Sequence, residues 1–275
     1  MPEPASRIPP AAGALLPFGR PEPPPTRSAI VLSSDTCEAG IRNRLLAALP
    51  EDEFARLKPR LKLVELEPRQ ILAVPERRIE HVHFIESGWV SVLVPLDEGE
   101  SAEVGLTGAE GMTNWQVALG EETADFETMV QASGTAWHLA VTDVHDALQA
   151  APVLRSLMMR FALAQHGQLA WIAVCNGQHT IEQRLARWLL MAHDRSEDDT
   201  IFVTHEFLSM MLGVRRAGVT IAAGGLQRAG LIRYGSGRVT IADRGGLEAT
   251  CCECYTAARR VQERQLPRAG ILGCR

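Results

Sequence analysis

No apolar run in these 275 residues approaches the roughly 20 needed to cross a bilayer, and the N-terminus has no basic stretch leading into an apolar one. These absences argue against a membrane partner and a secretory signal, so a cytoplasmic location is expected. Six cysteines, three of them in one short patch, do not make a secreted disulfide framework. Gly-x-Ser-x-Gly, a Gly-rich loop ending in Lys and His-Glu-x-x-His are all missing, which predicts a protein that is not an enzyme. Basic residues are missing too over a long central stretch, with no arginine or lysine between Arg78 and Arg155.

What is present suits a soluble chain with a sizeable core: 46% of the residues are hydrophobic and 22% charged, and the length suggests two domains. The formal net charge is −5, unevenly spread. Residues 1–176 hold 14 basic and 23 acidic side chains, whereas residues 177–275 hold 14 arginines, no lysine and 10 acidic side chains, a net +4. A positive C-terminal part on an acidic protein is what phosphate neutralisation requires.

That part carries the sharpest motif. Counting from His205, the small Ser209 is fifth and Gly213 ninth, with Leu208, Leu212, Val214, Val219 and Ala222 at the apolar positions of a helix-turn-helix. Glycine at the ninth position tolerates the positive φ of a tight turn. Thr204 is placed to cap the first helix. A second helix starting near Arg215 would present Arg215, Arg216 and Thr220 to phosphate oxygens and base edges in the major groove of double-stranded DNA. Gly218, Gly224 and Gly225 lie inside that helix, each costing about 1 kcal/mol relative to alanine, and predict fraying or bending without DNA. Leu231–Tyr234 and Arg238–Ile241 around Gly235-Ser236-Gly237 read as a hairpin wing, with Arg233 and Arg238 facing the DNA backbone.

The Pro-rich residues 1–40 read as a disordered extension and 266–275 as a flexible tail. A short amphipathic helix is expected from Ile41 to Pro50, and another over Glu51–Leu57. From Leu61 to about Val141 the period changes to two and breakers come every eight to twelve residues, the pattern of a β-sandwich or barrel. The expected strands are Leu61–Val64, His81–Ile85, Trp89–Val94, Glu103–Leu106, Phe126–Val130 and Thr135–Leu139, with turns at Glu86-Ser87-Gly88 and Asp97–Glu100. A long helix over residues 152–179 follows, in which Leu154, Leu157 or Met158, Phe161, Gln165, Gln168, Ile172 and Cys175 recur at steps of three and four. That is the spacing of a coiled-coil seam, and a homodimer through it would hold two recognition helices about 34 Å apart. The competing reading packs this stripe on the chain's own β-domain. A further helix, from Ile181 to His193, leads into residues 180–265, the expected winged helix-turn-helix domain.

With the order β-domain, long helix, helix-turn-helix and wing, and with the run Phe207-Leu208-Ser209-Met210-Met211-Leu212-Gly213-Val214-Arg215-Arg216 followed by Gly230-Leu231-Ile232, the chain resembles the Crp/Fnr family of bacterial transcription regulators over residues 41–260. The resemblance implies an α+β fold: an N-terminal jelly roll of the cyclic-nucleotide-binding type over 41–151, a dimerisation helix, and a C-terminal winged helix-turn-helix. It also implies promoter binding as a homodimer, with RNA polymerase as a partner. Arg216 matches a family arginine that reads guanine; the glutamate that usually follows is Ala217 here, and a second arginine is replaced by Ile221.

For the effector, the segment matching the family's phosphate-binding turn is Gly108-Ala109-Glu110-Gly111-Met112-Thr113-Asn114-Trp115, followed by Asp125-Phe126-Glu127-Thr128. The candidate pocket residues are Glu110, Gly111, Met112, Asn114, Trp115 and Thr128. A cyclic phosphate there would face Asp125 and Glu127 with no cation, so cyclic AMP is not expected. An iron–sulfur cluster lacks thiolates, since only Cys37 precedes the long helix, and haem has only His81 or His83 to offer as ligand. The cofactor is thus left unknown. Cys251, Cys252 and Cys254 are read as small apolar packing residues on a helix over 244–264, because adjacent cysteines on a helix cannot all face one ion. Two other functions are compatible with the β-rich half: a cupin-like enzyme with a pocket near Trp89, Trp115 and Trp137, for which His81, His83 and His138 give no clear metal set, and a ligand-independent DNA-binding scaffold.

Overall fold

The alternating stretch builds two antiparallel sheets, seen in a computed structural model that describes residues 40–96 and 101–267. The strands are β1 (Lys62–Leu66), β2 (Ile71–Ala73), β3 (His81–Ile85), β4 (Trp89–Pro95), β5 (Ser101–Thr107), β6 (Glu127–Ala132) and β7 (Gly134–Ala140). One sheet has the order β1-β7-β3 and the other β2-β6-β4-β5. Val64, Leu66, Ile85, Val90, Val130 and Ala136, contributed by both sheets, form a core between them. The Glu86–Gly88 turn is tight because Gly88 has φ +70° and a Cβ there would strike the Ser133 carbonyl. Most of the Pro-rich extension, the Asp97–Glu100 turn and residues 268–275 fall outside the described residues.

Helix α1 (Glu51–Leu57) has the expected bounds, and α2 (Val141–Ala150) joins the sandwich to α3 (Pro152–Gln178). The helix expected from Ile41 is only a 3-10 turn over Leu46–Ala48, because the Asn43 side chain holds this segment by accepting from the Leu45 and Leu46 amides, at 3.1 Å each, while donating to the Ile85 and Gly111 carbonyls. Leu266, expected in a flexible tail, is buried, and the Pro267 carbonyl accepts from Arg44 Nε at 2.9 Å.

The expected dimer seam on α3 is filled from within the same chain. Leu154, Leu157, Met158, Phe161, Ile172 and Cys175 are all buried, the first four in the core shared with β3 and α2. Gln168 bonds the β5 backbone with both ends of its amide, accepting from Leu106 N at 2.7 Å and donating to Leu106 O at 3.2 Å; Gln165 donates to Thr107 Oγ1 at 2.6 Å. A three-four repeat reports that a face is buried, not by what, and here the cover is the chain's own sandwich and, at Cys175, the cysteines between α7 and α8. The outward stripe of α3 is Met159, Leu163, His166, Ala170, Ala173 and Gly177, exposed and at alternating steps of four and three.

Beyond α3 come α4 (Ile181–His193), capped by a Thr180–Gln183 capping box, β8 (Thr200–Phe202), α5 (His205–Leu212), α6 (Arg216–Arg228), and the hairpin β9 (Ile232–Gly235) and β10 (Arg238–Ile241). The single helix expected over 244–264 is two, α7 (Arg244–Thr250) and α8 (Cys254–Gln265), broken at Cys251-Cys252-Glu253. The two halves are welded where Trp89 meets Trp188 edge to face at 5.8 Å. Glu103 Oε1, from β5, accepts from the same indole N–H at 2.9 Å while its Oε2 takes the Ser91 hydroxyl at 2.5 Å. Burial pushes the Glu103 carboxyl up to about 7.

Candidate nucleic-acid interface and effector cavity

Helix α5 begins where Thr204 Oγ1 accepts from the Phe207 amide at 3.1 Å, and ends at Gly213 with φ +57°. Arg184, buried on α4, donates to the Leu212 carbonyl and so closes the C-terminal end of α5. Leu208, Leu212, Val219 and Ala222 are buried between the helices, and the chain leaves Arg215 extended before entering α6. That leaves Arg215, Arg216, Ala217, Thr220 and Ile221 exposed along one side of α6, with Ile221 at 73%.

Helix α6 runs continuously through its three glycines. Two of them permit close packing: a Cβ on Gly218 would lie 2.8 Å from Ile181 Cδ1, and one on Gly225 2.7 Å from the Glu182 carboxylate, so α6 seats directly on the first turn of α4. Gly224 has no such neighbour except the end of Arg228 at 3.3 Å.

The wing is a two-residue hairpin in which Gly235 pairs with Arg238 and both turn residues, Ser236 and Gly237, have positive φ, as a type I′ turn demands. Arg233 and Arg238 are exposed, and Arg238 lies over the Phe202 ring at 5.1 Å. Sequence reading missed the link that joins wing to helix. His205 stacks on Tyr234 with ring centroids 4.1 Å apart, and its Nδ1 lies 3.1 Å from Thr220 Oγ1, which also donates to Arg216 O at 3.1 Å. Thr220 is therefore held against His205 of α5, which in turn stacks on the wing, rather than projecting freely. No sequence periodicity signals that contact, because it joins residues remote in the chain.

In the β-domain a small cavity of about 90 Å³ is lined by Met112, Asn114, Trp115 and Thr128 of the expected set, together with Gln165 and Leu169 of α3. It has room for a handful of waters or a small ligand. Asp125 lines it, and no arginine or lysine does. Glu110 and Gly111 are not part of it: Glu110 is drawn away by Arg195, whose Nε and Nη2 donate to its Oε1 at 2.8 and 2.5 Å, and Gly111 lies flat against the Phe161 ring. Among the suggested haem ligands, His83 is buried with Nδ1 3.2 Å from Thr113 Oγ1, and burial lowers its pKa to about 3. His81 stacks on His138 at 4.7 Å.

Residues 183–250, from within α4 to the end of α7, match the Crp-like helix-turn-helix family. This span is similar to a Crp-like helix-turn-helix domain. The arrangement as a whole is similar to solved Crp/Fnr structures. FixK2 from Bradyrhizobium japonicum gives a TM-score of 0.61 at 12% identity, over 70% of this chain and 98% of that one. A putative transcriptional regulator of the Crp/Fnr family from Eubacterium rectale gives 0.60 at 16% identity, over 76% and 98%. CLP, a c-di-GMP-responsive global regulator from Xanthomonas campestris, gives 0.55 at 15% identity, over 70% and 99%. No curated protein matches the sequence. The β-sandwich, the long helix and the Crp-like domain thus form a Crp/Fnr fold, and the Eubacterium rectale and Xanthomonas campestris proteins are described as regulators, not enzymes. No helix among the described residues is long and apolar enough to cross a membrane.

Proposed function

We propose that the chain is a sequence-specific transcription regulator that binds promoter DNA as a homodimer and responds to a signal other than cyclic AMP. The observation that carries this reading is the exposed side of α6 in the Crp-like domain, where Arg215 and Arg216 stand unburied at the helix start beside a wing bearing Arg233 and Arg238. Arg216 reads a base in the major groove; Arg215, Thr204 and Thr220 position the helix, and Arg233 and Arg238 meet phosphates. Dimerisation uses the outward stripe of α3 rather than its buried one, and RNA polymerase is the downstream partner. The cation-free cavity supports a neutral or cationic small signal.

Binding of the purified protein to a genomic fragment library at near-physiological salt tests this reading. A two-fold motif is expected, lost in Arg216→Ala at a cost of about 1–3 kcal/mol on the specific site. Arg238→Ala should instead weaken specific and random DNA alike and lower the salt dependence by about one counterion. Equal losses on both kinds of DNA for Arg216→Ala would remove its role in base reading.

A further inference from the structure

The break between α7 and α8 places sulfur where a continuous helix could not. Cys252 and Cys254 turn inward from the break toward Cys175 and His179, one helical turn apart at the end of α3. Their four donor atoms lie within 4.8 Å of one another. Cys175 Sγ is 3.5 Å from Cys252 Sγ, and Cys254 Sγ is 3.6 Å from His179 Nδ1. Bonds of about 2.3 Å to sulfur and about 2.0–2.1 Å to nitrogen put the edges of a tetrahedral zinc site at about 3.5–3.8 Å. The other ring nitrogen of His179, Nε2, lies 3.3 Å from Glu253, the carboxylate–histidine pairing that orients a metal-bound imidazole.

A second observation is independent of the donors. Arg187, only 3% exposed, stands beside the Cys175 sulfur, and its Nε finds no acceptor among the described residues, while its Nη1 reaches the Met191 sulfur at 3.2 Å. A buried guanidinium with no carboxylate hydrogen-bonded to it is costly. Three thiolates and a neutral imidazole around a divalent cation leave one negative charge beside Arg187, which among the described residues otherwise has only the Glu103 carboxyl, itself pushed up to about 7, within coulombic reach.

We propose that Cys175, His179, Cys252 and Cys254 bind one zinc ion, which ties the end of α3 to the α7–α8 break beside the joint into the helix-turn-helix. Cys251 stays outside the ligand set, with its Sγ 4.0 Å from the Gln183 carbonyl. Zinc binding displaces the three thiol protons to solvent, so affinity rises with pH. The site does not depend on how the chain reads DNA.

The test is titration of the reduced, full-length protein with Co²⁺ and competition with Zn²⁺, read by absorbance. One equivalent should give intense thiolate-to-cobalt charge transfer and the visible bands of a tetrahedral ion, both bleached by Zn²⁺, and Zn²⁺ should raise the thermal midpoint. Cys252→Ser and Cys254→Ser should abolish the bands, Cys251→Ser should keep them, and Glu253→Gln should weaken binding about tenfold. Circular dichroism of each variant separates lost ligation from lost folding, and Glu253→Gln gives a graded readout on an exposed residue. Absent thiolate bands in the folded wild type, bands equally sensitive to Cys251→Ser, or a Cys175–Cys252 disulfide forming undiminished in the presence of Zn²⁺ would overturn the proposal.

Discussion

A methyl group on Gly224 meets only the mobile end of Arg228, at 3.3 Å, whereas one on Gly225 meets the Glu182 carboxylate at 2.7 Å and one on Gly218 meets Ile181 Cδ1 at 2.8 Å. In DNA-free protein Gly224→Ala is therefore expected to stabilise by about 0.5–1 kcal/mol, the ordinary helix-interior difference. Gly225→Ala and Gly218→Ala should each stabilise less than this, because the Glu182 carboxylate and the Ile181 terminal methyl must first swing aside. Urea unfolding of the three variants checks the ranking, and equal stabilisation by all three would sink the packing explanation. At this scale the sequence exposed what is local. Gly213, Thr204 and the buried apolar positions of the helix pair were legible because turn φ, capping and helical spacing act within a few residues. The stacking of His205 on Tyr234 and the pairing of Glu110 with Arg195 were not, since each requires the tertiary fold to bring distant residues together.

The joint between β5 and α4 turns on one buried carboxyl. Glu103 bonds Ser91 and Trp188, and its pKa is raised to about 7, chiefly by burial, with Arg187 and Arg195 opposing the rise. Protonation is favoured in the folded state relative to the unfolded one, so this group's contribution is complete below an unfolded pKa near 4.5 and is lost as pH rises through 7. Glu103→Gln, which keeps one acceptor for the indole and gives Ser91 a donor, should match the wild type near pH 4.5. It should become relatively more stable by pH 8, by at most ~3 kcal/mol. Paired denaturation curves across this range measure it, and a flat difference would mean that the carboxyl titrates normally. His83 acts in the opposite sense: its pKa of about 3 means that stability falls as pH drops from 6.5 towards 3. Elements with a clear period were legible, as the bounds of α1, α3 and β3 show. The three-residue β2, too short to show alternation, and the break between α7 and α8, where two cysteines and a glutamate carry no breaker signal, were not.

Over the whole molecule, α3 has two faces at the same spacing, and only the fold distinguishes them. The stripe through Leu154, Phe161 and Gln168 is covered by the sandwich, whereas that through Met159, Leu163, His166, Ala170, Ala173 and Gly177 is uncovered in the single chain. Leu163 is 56% exposed, and small residues toward the C-terminal end would let a second α3 approach closely. Exposed apolar side chains in heptad register on a 27-residue helix favour a second copy as cover. A charge there cannot be tolerated against its symmetry mate, so Leu163→Glu should yield a folded monomer by sedimentation equilibrium and weaken binding to a two-fold site by about 100-fold or more, since a single recognition helix then carries all the contacts. Gln168→Leu, on the covered face, should instead lower thermal stability by leaving the Leu106 backbone unpaired, while the protein remains dimeric. If Leu163→Glu sediments as a dimer, the two chains meet elsewhere, and the pairing of recognition helices about 34 Å apart must then come from another surface.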